Sequence, residues 1–173
     1  MPAPVRKLAL ATHLSSSVGW LGAVLAYLAL DLTVAVSTDP PLVRAAWVGM
    51  GTIATLAIVP LALASLGTGL IMAFGTKWGL FRYWWVSISF VLTSLAVLVL
   101  LSETRLISNM AALARDSSTS DAILLDAPPT LLHSVGGLLV LLLIQVLNVY
   151  KPQGLTPYGW RKQQKQRAAL PRG

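Results

Sequence analysis

Four apolar stretches, each long enough to cross a bilayer, decide what this chain can fold into. A hydrocarbon core of about 30 Å needs roughly 20 apolar residues in a helix. The stretches run over residues 8–36, 42–74, 83–102 and 129–150. No water reaches a peptide group in lipid, so a spanning segment closes its own hydrogen bonds as a helix. The expected fold is therefore all-α: a four-helix transmembrane bundle over residues 1–150 with a basic tail over 151–173. Charged residues make up 11% of the chain, against roughly 25% in a soluble domain. No segment is left over to build a soluble core.

The charges take sides. Ten of the thirteen Lys and Arg fall where the N-terminus, the turn between spans 2 and 3, and the tail lie, with no acid beside them. The other side sets Arg44, Arg105 and Arg115 against Asp39, Glu103, Asp116, Asp121 and Asp126. Cytoplasmic loops are the ones rich in Lys and Arg, so both termini are expected in the cytoplasm and the chain in the plasma (inner) membrane. The net charge of +7 reads as topology, and as contact with anionic lipid at the cytoplasmic face, rather than as nucleic-acid binding. Arg6 and Lys7 before an apolar run also fit a signal peptide. That run exceeds the roughly 7–15 residues of a usual signal core and reads as a retained span. The absence of cysteine excludes disulfides, iron–sulfur clusters and thiolate zinc sites.

Proline and aromatic residues mark the remaining organisation. Pro60 removes one backbone hydrogen bond and crowds the carbonyl of Leu56, which predicts a kinked second helix. Gly67 and Gly69 follow, either admitting a neighbour or marking a broken helix with free carbonyls. Trp78, Phe81, Tyr83, Trp84 and Trp85, with Lys77 and Arg82, read as an interfacial belt. Beyond Ser102, the positions Leu106, Ile107, Met110 and Leu113 keep a helical period, so the third helix is expected to leave the membrane or lie on it. The loop over 115–127 holds a small apolar island at 123–125, with Asp121 placed to cap one helical turn. Pro128 and Pro129 are expected to open span 4.

The first span carries the polar groups of interest. At about 100° per residue, His13, Ser17, Trp20, Val24, Tyr27 and Asp31 share one line. Roughly opposite lie the small residues Ala11, Ser15, Gly19, Gly22, Ala26, Ala29 and Thr33, with leucines between. The expectation is leucine toward lipid, small residues against neighbouring helices, and polar groups turned away from hydrocarbon.

His13 lies ~8 Å inside the cytoplasmic edge and His133, on span 4, ~6 Å inside the other edge, at 1.5 Å per residue. A depth difference of ~16 Å within a ~30 Å core does not suit one iron held by both. His13 reads either as a packed neutral ring bonded to a serine or a backbone carbonyl, or as a haem ligand or proton relay; His133 reads either as an edge residue that reaches interfacial water or as a second, separate ligand. Asp31 reads as a solvated interfacial carboxylate or a partner of Arg44 or Arg105. Its sharper reading is the mouth of a polar path through Tyr27 and Ser17 to His13. Gln145 and Asn148 read as interhelical hydrogen-bond partners. No residue set reads as a metal site. No phosphate-binding loop, dinucleotide fingerprint, zinc-protease or serine-hydrolase motif is present, and no catalytic residue can be named. The spans show no internal repeat of the transporter kind.

Two runs carry a resemblance. Gly75-Thr76-Lys77-Trp78-Gly79-Leu80-Phe81-Arg82-Tyr83-Trp84-Trp85-Val86 is one, and Val149-Tyr150-Lys151-Pro152-Gln153-Gly154-Leu155-Thr156-Pro157-Tyr158-Gly159 is the other. Both resemble an uncharacterised family of small bacterial four-span integral membrane proteins. That resemblance implies the architecture and supplies no activity. Lys7 followed by His13, Trp20 and Gly22, with Pro60 followed by Gly67, is more weakly similar to four-span protoporphyrinogen oxidases and copper-resistance-type membrane proteins. That similarity implies a haem-linked role for His13 and haem b as a cofactor. Those enzymes place a base early in span 3, where this chain has the neutral Val86-Ser87-Ile88-Ser89 and Arg82 nearby.

Three functional readings are open. The preferred one is a non-enzymatic accessory or structural membrane component, partnered by the bilayer and by a second copy or another membrane protein. The second is a haem- or porphyrin-binding redox protein with His13, Trp20 and Tyr27 as its pocket and His133 as a second candidate ligand. The third is a small-solute or proton carrier using His13, Tyr27 and Asp31, with Ser17 on the same stripe.

Overall fold

The computed structural model describes residues 1–76 and 78–168; Lys77 of the aromatic turn and Arg172 of the tail lie outside the described residues. Four of its helices have the length and hydropathy to cross a membrane, and they are the four expected. Helix α1 (Ala3–Val36) is followed by α2 (Pro40–Ile53), which passes through a π-helical turn (Ala54–Ile58) into α3 (Val59–Gly75). Then come α4 (Trp84–Arg115), the one-turn α5 (Asp121–Leu125), α6 (Leu131–Tyr150) and α7 (Pro157–Ala168). Helix α1 packs on α2, α3 and α6, and α4 packs on the same three. Successive spans alternate in direction. One end of the bundle therefore holds the N-terminus, the turn after α3 and the tail; the other holds the loops after α1 and α4.

Pro60 acts upstream of itself. Its ring cannot tolerate the carbonyl one turn back in a regular helix. The chain answers by widening residues 54–58 into a π turn, in which the Val59 N–H donates to Ala54 O. The 36-residue span then continues to Gly75 without a break. Gly67 and Gly69 stay helical, so the broken-helix alternative does not hold. Gly69 admits a neighbour, the ring of His13, whereas Gly67 meets nothing within 4 Å.

The faces of α1 are arranged differently from the expectation. Its buried residues are Ser16, Trp20, Val24, Tyr27, Asp31 and Val34. The small residues Ala11, Ser15, Gly22, Ala26 and Ala29 are exposed along the helix, and so are Leu10, Leu14, Leu25 and Leu32. Burying one carboxylate and two aromatic rings with polar tips decides which side faces inward, because those groups find no partner in lipid. Small size alone does not.

The loop end holds a core that counting spans did not leave room for. Helix α4 continues past Ser102 to Arg115, and α2 begins at Pro40, so the two run together at this end. Val43, Trp47 and Met50 of α2 pack with Ile107 and Ala114 of α4 and Leu124 of α5. Trp47 is 1% exposed and its indole N–H donates to Leu124 O at 3.4 Å. Gly51 brings the backbones of α2 and α4 together at Ala111. Arg44 fastens the loop above. It donates to the carbonyl oxygens of Ala114, Asp116 and Thr119 and forms a 2.6 Å ion pair with Asp121. Ser120, not Asp121, occupies the N-cap position of α5, and its side chain makes no cap bond. Helix α6 starts at Leu131 with Thr130 before it, so the two prolines precede the helix rather than open it.

At the opposite end the tail returns to the aromatic turn. Lys151 adopts a left-handed conformation (φ 46°) that closes α6. The Trp84 N–H then donates to Gly154 O, and the Thr156 N–H to Arg82 O, each at 3.1 Å. Gly159 sits against the Arg82 carbonyl with no room for a side chain.

Candidate functional site

A cavity of about 780 Å³ opens at the terminal end, between α1, α3, α4 and α6. His13 stands in its wall. Its Nδ1 lies 3.1 Å from Ser65 O and 3.1 Å from Thr68 Oγ1. A carbonyl oxygen only accepts, so Nδ1 carries the proton and Nε2 holds the lone pair of the neutral ring. The Thr68 hydroxyl donates to Ala64 O at 2.6 Å, which leaves its oxygen to accept from the imidazole. Both of His13's contacts come from α3, a helix packed closely on α1. Gly69 makes the approach possible, since a Cβ there would lie 3.3 Å from His13 Cε1. One turn deeper, the Ser17 and Ser65 hydroxyls bond each other at 2.8 Å. Trp20 and Leu21 close the floor.

The facing wall is α4. Trp85 and Ser89, one turn apart, are 8% and 7% exposed. The Trp85 Nε1 and the Ser89 Oγ are buried and have no hydrogen-bond partner. Both residues line the cavity. Gln145 and Asn148 of α6 line it too, and no side-chain hydrogen bond joins them to another helix among the described residues. They are cavity residues, not the interhelical pairs expected. The rim holds Arg6, Lys7 and Lys151, the last with its ammonium 5.8 Å from the centre of the Trp78 ring. Among the described residues no Asp or Glu lines the cavity. Part of the expected belt is thus folded inward. Trp78 stacks edge-on against Tyr83 and Trp85, while Phe81 and Trp84 remain exposed.

The chain matches no family model, no curated protein and no solved structure. The resemblances drawn from its two sequence runs therefore reduce to what the helices themselves show, a four-span membrane protein.

The remaining polar residues lie at the other end of the bundle. Asp31 is 0% exposed. It accepts from the Thr130 N–H at 2.8 Å, the Thr130 hydroxyl at 3.0 Å and the Ser134 hydroxyl at 2.7 Å. Tyr27 lies 2.8 Å from the same Thr130 oxygen and donates to it, because the Thr130 proton is committed to Asp31. Asp31 is therefore neither a solvated carboxylate nor the partner of Arg44 or Arg105. It pins the start of α6 to α1. His133 is 46% exposed in its side chain, with Nε2 3.5 Å from Glu103 Oε1.

The structure thus brings His13, Ser17 and Trp20 to one cavity and leaves Tyr27, Asp31 and His133 outside it. Trp20 and Val24, both buried, separate Ser17 from Tyr27 along α1. Trp85, Ser89, Gln145 and Asn148 line the cavity as well; in the sequence Trp85 reads as a belt residue and Gln145 and Asn148 as interhelical partners, and none of the four as a site residue. Ser89 carried no signal of its own, since Ser87, Thr93 and Ser94 share its span.

Proposed function

We propose that the protein is a multi-pass protein of the plasma (inner) membrane, with cytoplasmic termini, that binds an amphiphilic ligand in the terminal-end cavity without transforming it. One observation carries the reading: Trp85 and Ser89 line an otherwise largely apolar cavity, and their donors, Trp85 Nε1 and Ser89 Oγ, are buried in its wall with no protein partner. Buried polar groups are nearly always hydrogen-bonded, and each one left unsatisfied costs about 1–3 kcal/mol. A ligand with an acceptor at that level removes the cost. An apolar cavity with a few convergent polar groups is the usual form of a small-molecule site. The non-enzymatic part rests on His13, the one imidazole among the described residues that line the cavity, with no carboxylate among them to work with. The orientation rests on the eight described basic residues at the end that holds the cavity, Arg6, Lys7, Arg82, Lys151, Arg161, Lys162, Lys165 and Arg167.

The test is native mass spectrometry of the detergent-purified protein beside a Ser89→Trp variant, whose added indole fills the cavity. An amphiphile retained near one per chain by the wild type and lost by the folded variant is expected. A wild type that retains nothing, and that takes up no added amphiphile, refutes the reading.

His13 supports a haem or porphyrin as a second reading. Its Nδ1–H is held by a backbone carbonyl and its Nε2 is left as an acceptor, the arrangement that orients an axial imidazole. His13 and Trp20 serve this reading, Tyr27 and His133 do not. A Soret band that shifts with dithionite and disappears in His13→Ala supports it; a preparation that stays colourless after added haemin sinks it.

A further inference from the structure

The polar groups of the cavity are not scattered; they are layered by depth and by sign. The cations Arg6, Lys7 and Lys151 form the rim. The two unpartnered donors, Trp85 Nε1 and Ser89 Oγ, lie within the first and second turns of α4, just below. Farther in, the Ser17 and Ser65 hydroxyls satisfy each other, and the Thr93 hydroxyl is used by Ser89 O at 2.7 Å. The floor is Trp20 and Leu21. Positive charge therefore lines the mouth, with two unsatisfied donors buried in the wall below it, and the deeper part offers mostly apolar surface. Among the described lining residues no carboxylate opposes the cations. The positive end of the α4 helix adds to the same field.

We infer that the cavity takes an anionic amphiphile, with a carboxylate or phosphate head held by Trp85 and Ser89 beneath the Arg6–Lys7–Lys151 rim and one acyl chain running down to Trp20. The inference rests on the reading of the cavity as a ligand site and adds the class of ligand and its direction. From Arg6 to Trp20 the wall of α1 descends about 21 Å at 1.5 Å per residue. One leaflet of a ~30 Å hydrocarbon core is about 15 Å deep. The cavity thus has the depth of a head group plus the chain of one leaflet. An anion is the head that uses both the unsatisfied donors and the rim cations. It accepts both donors, and charge-assisted hydrogen bonds are roughly twice as strong as neutral ones. A neutral alcohol head would take one or two of these bonds and leave three cations unanswered.

The experiment is photolabelling of the full chain in nanodiscs of neutral phosphatidylcholine, with a fatty acid that carries a diazirine in its chain. Labelled peptides are mapped, and unlabelled oleate, lysophosphatidate and oleyl alcohol compete. Saturable labelling of the α1 and α4 cavity walls is expected, with at least one of the two anions competing about tenfold or more better than the alcohol, since a hydrogen bond to a charged group is worth about 1.5–3 kcal/mol. Which anion competes better assigns the head as carboxylate or phosphate. Trp85→Phe and Ser89→Ala, which keep the shape and remove a donor each, are expected to weaken oleate competition by about the same factor. Equal competition by oleyl alcohol overturns the anionic head and leaves the cavity reading standing. Absence of saturable labelling overturns both. If neither donor variant folds, the comparison of oleate with oleyl alcohol on the wild type decides alone.

Discussion

Gly51 and Ala111 give the sharpest test of the packing. A Cβ added at Gly51 would overlap the Ala111 Cβ, with Ile107 O 3.7 Å away, while ordinary contact begins near 3.4 Å. Neither neighbour can swing aside, because the Ala111 Cβ is fixed to the backbone of α4. Gly51→Ala must therefore part α2 from α4, and the gap is shared by Val43, Trp47 and Met50, all fully buried. Two effects compete. Replacing a mid-helix glycine by alanine gains about 0.8–1.0 kcal/mol of helix propensity. Overpacking a tight core costs about 1–3 kcal/mol. The net expectation is a loss of up to about 2 kcal/mol. The cleaner quantity is the coupling, because propensity cancels in a double-mutant cycle. Adding Ala111→Gly to Gly51→Ala removes the overlapping atom, so the double variant should be more stable than the two single effects predict by about 1–3 kcal/mol. Equilibrium unfolding of the four proteins in mixed detergent, followed by tryptophan fluorescence, measures it. A coupling below about 0.5 kcal/mol, or a Gly51→Ala variant stabilised by its full propensity gain, refutes the close approach of these helices.

Three further predictions follow from the ends of the bundle. Asp31→Ala removes the acceptor of the Thr130 N–H; a hydrogen bond to a charged acceptor is worth about 1.5–3 kcal/mol, so exchange of that amide should quicken about 10- to 100-fold by NMR, and an unchanged rate would show that Asp31 does not pin α6. Gly159→Ala places a methyl against the Arg82 carbonyl and should loosen the tail, raising its cleavage by trypsin about tenfold, whereas wild-type resistance would contradict the docking. The Ser118 N–H, then its hydroxyl, hold the Asp116 carboxyl below its usual range, with Arg44 adding to the effect. A carboxyl lowered in the folded state contributes stability above its unfolded pKa of about 3.9 and loses it as pH falls through the lower folded value. The Ser118 amide resonance should accordingly stay fixed from neutral pH to about 4 and move only below it; movement complete by about pH 6 would refute the assignment.

The spans, the irregularity forced by Pro60 and the inward aim of His13 were legible because each follows from local chemistry: apolar length, a missing N–H, an ionisable ring in hydrocarbon. What was not legible depended on which apolar surface meets protein and which meets lipid. Hydropathy scores Trp47 and Met50 the same in either place, so the loop-end core built with Ile107 and Leu124 stayed hidden. The small face of α1 looked like a packing face, yet the helix turned on the needs of Asp31 and Tyr27, whose acceptor and donor, Thr130, lies some hundred residues away. Trp85 looked like a belt residue because composition cannot tell a ring at the headgroups from a ring folded under them. The half of the site on α1 could be read from one helical face. The half on α4 needed the neighbour to be known.

The π turn has a consequence for where the cavity lies. One extra residue in a helical turn rotates everything beyond it by about 100°. Before the turn, α2 makes its main contact with α4; after it, α3 makes its main contact with α1. The second span thus changes partner halfway along its length. In the half where it has turned to α1, it keeps a lesser contact with α4, and the space opened there lies between His13 on one side and Trp85 and Ser89 on the other. The hollow is what remains when a straight four-helix stack has one member re-phased, and Pro60 is the residue that sets the phase.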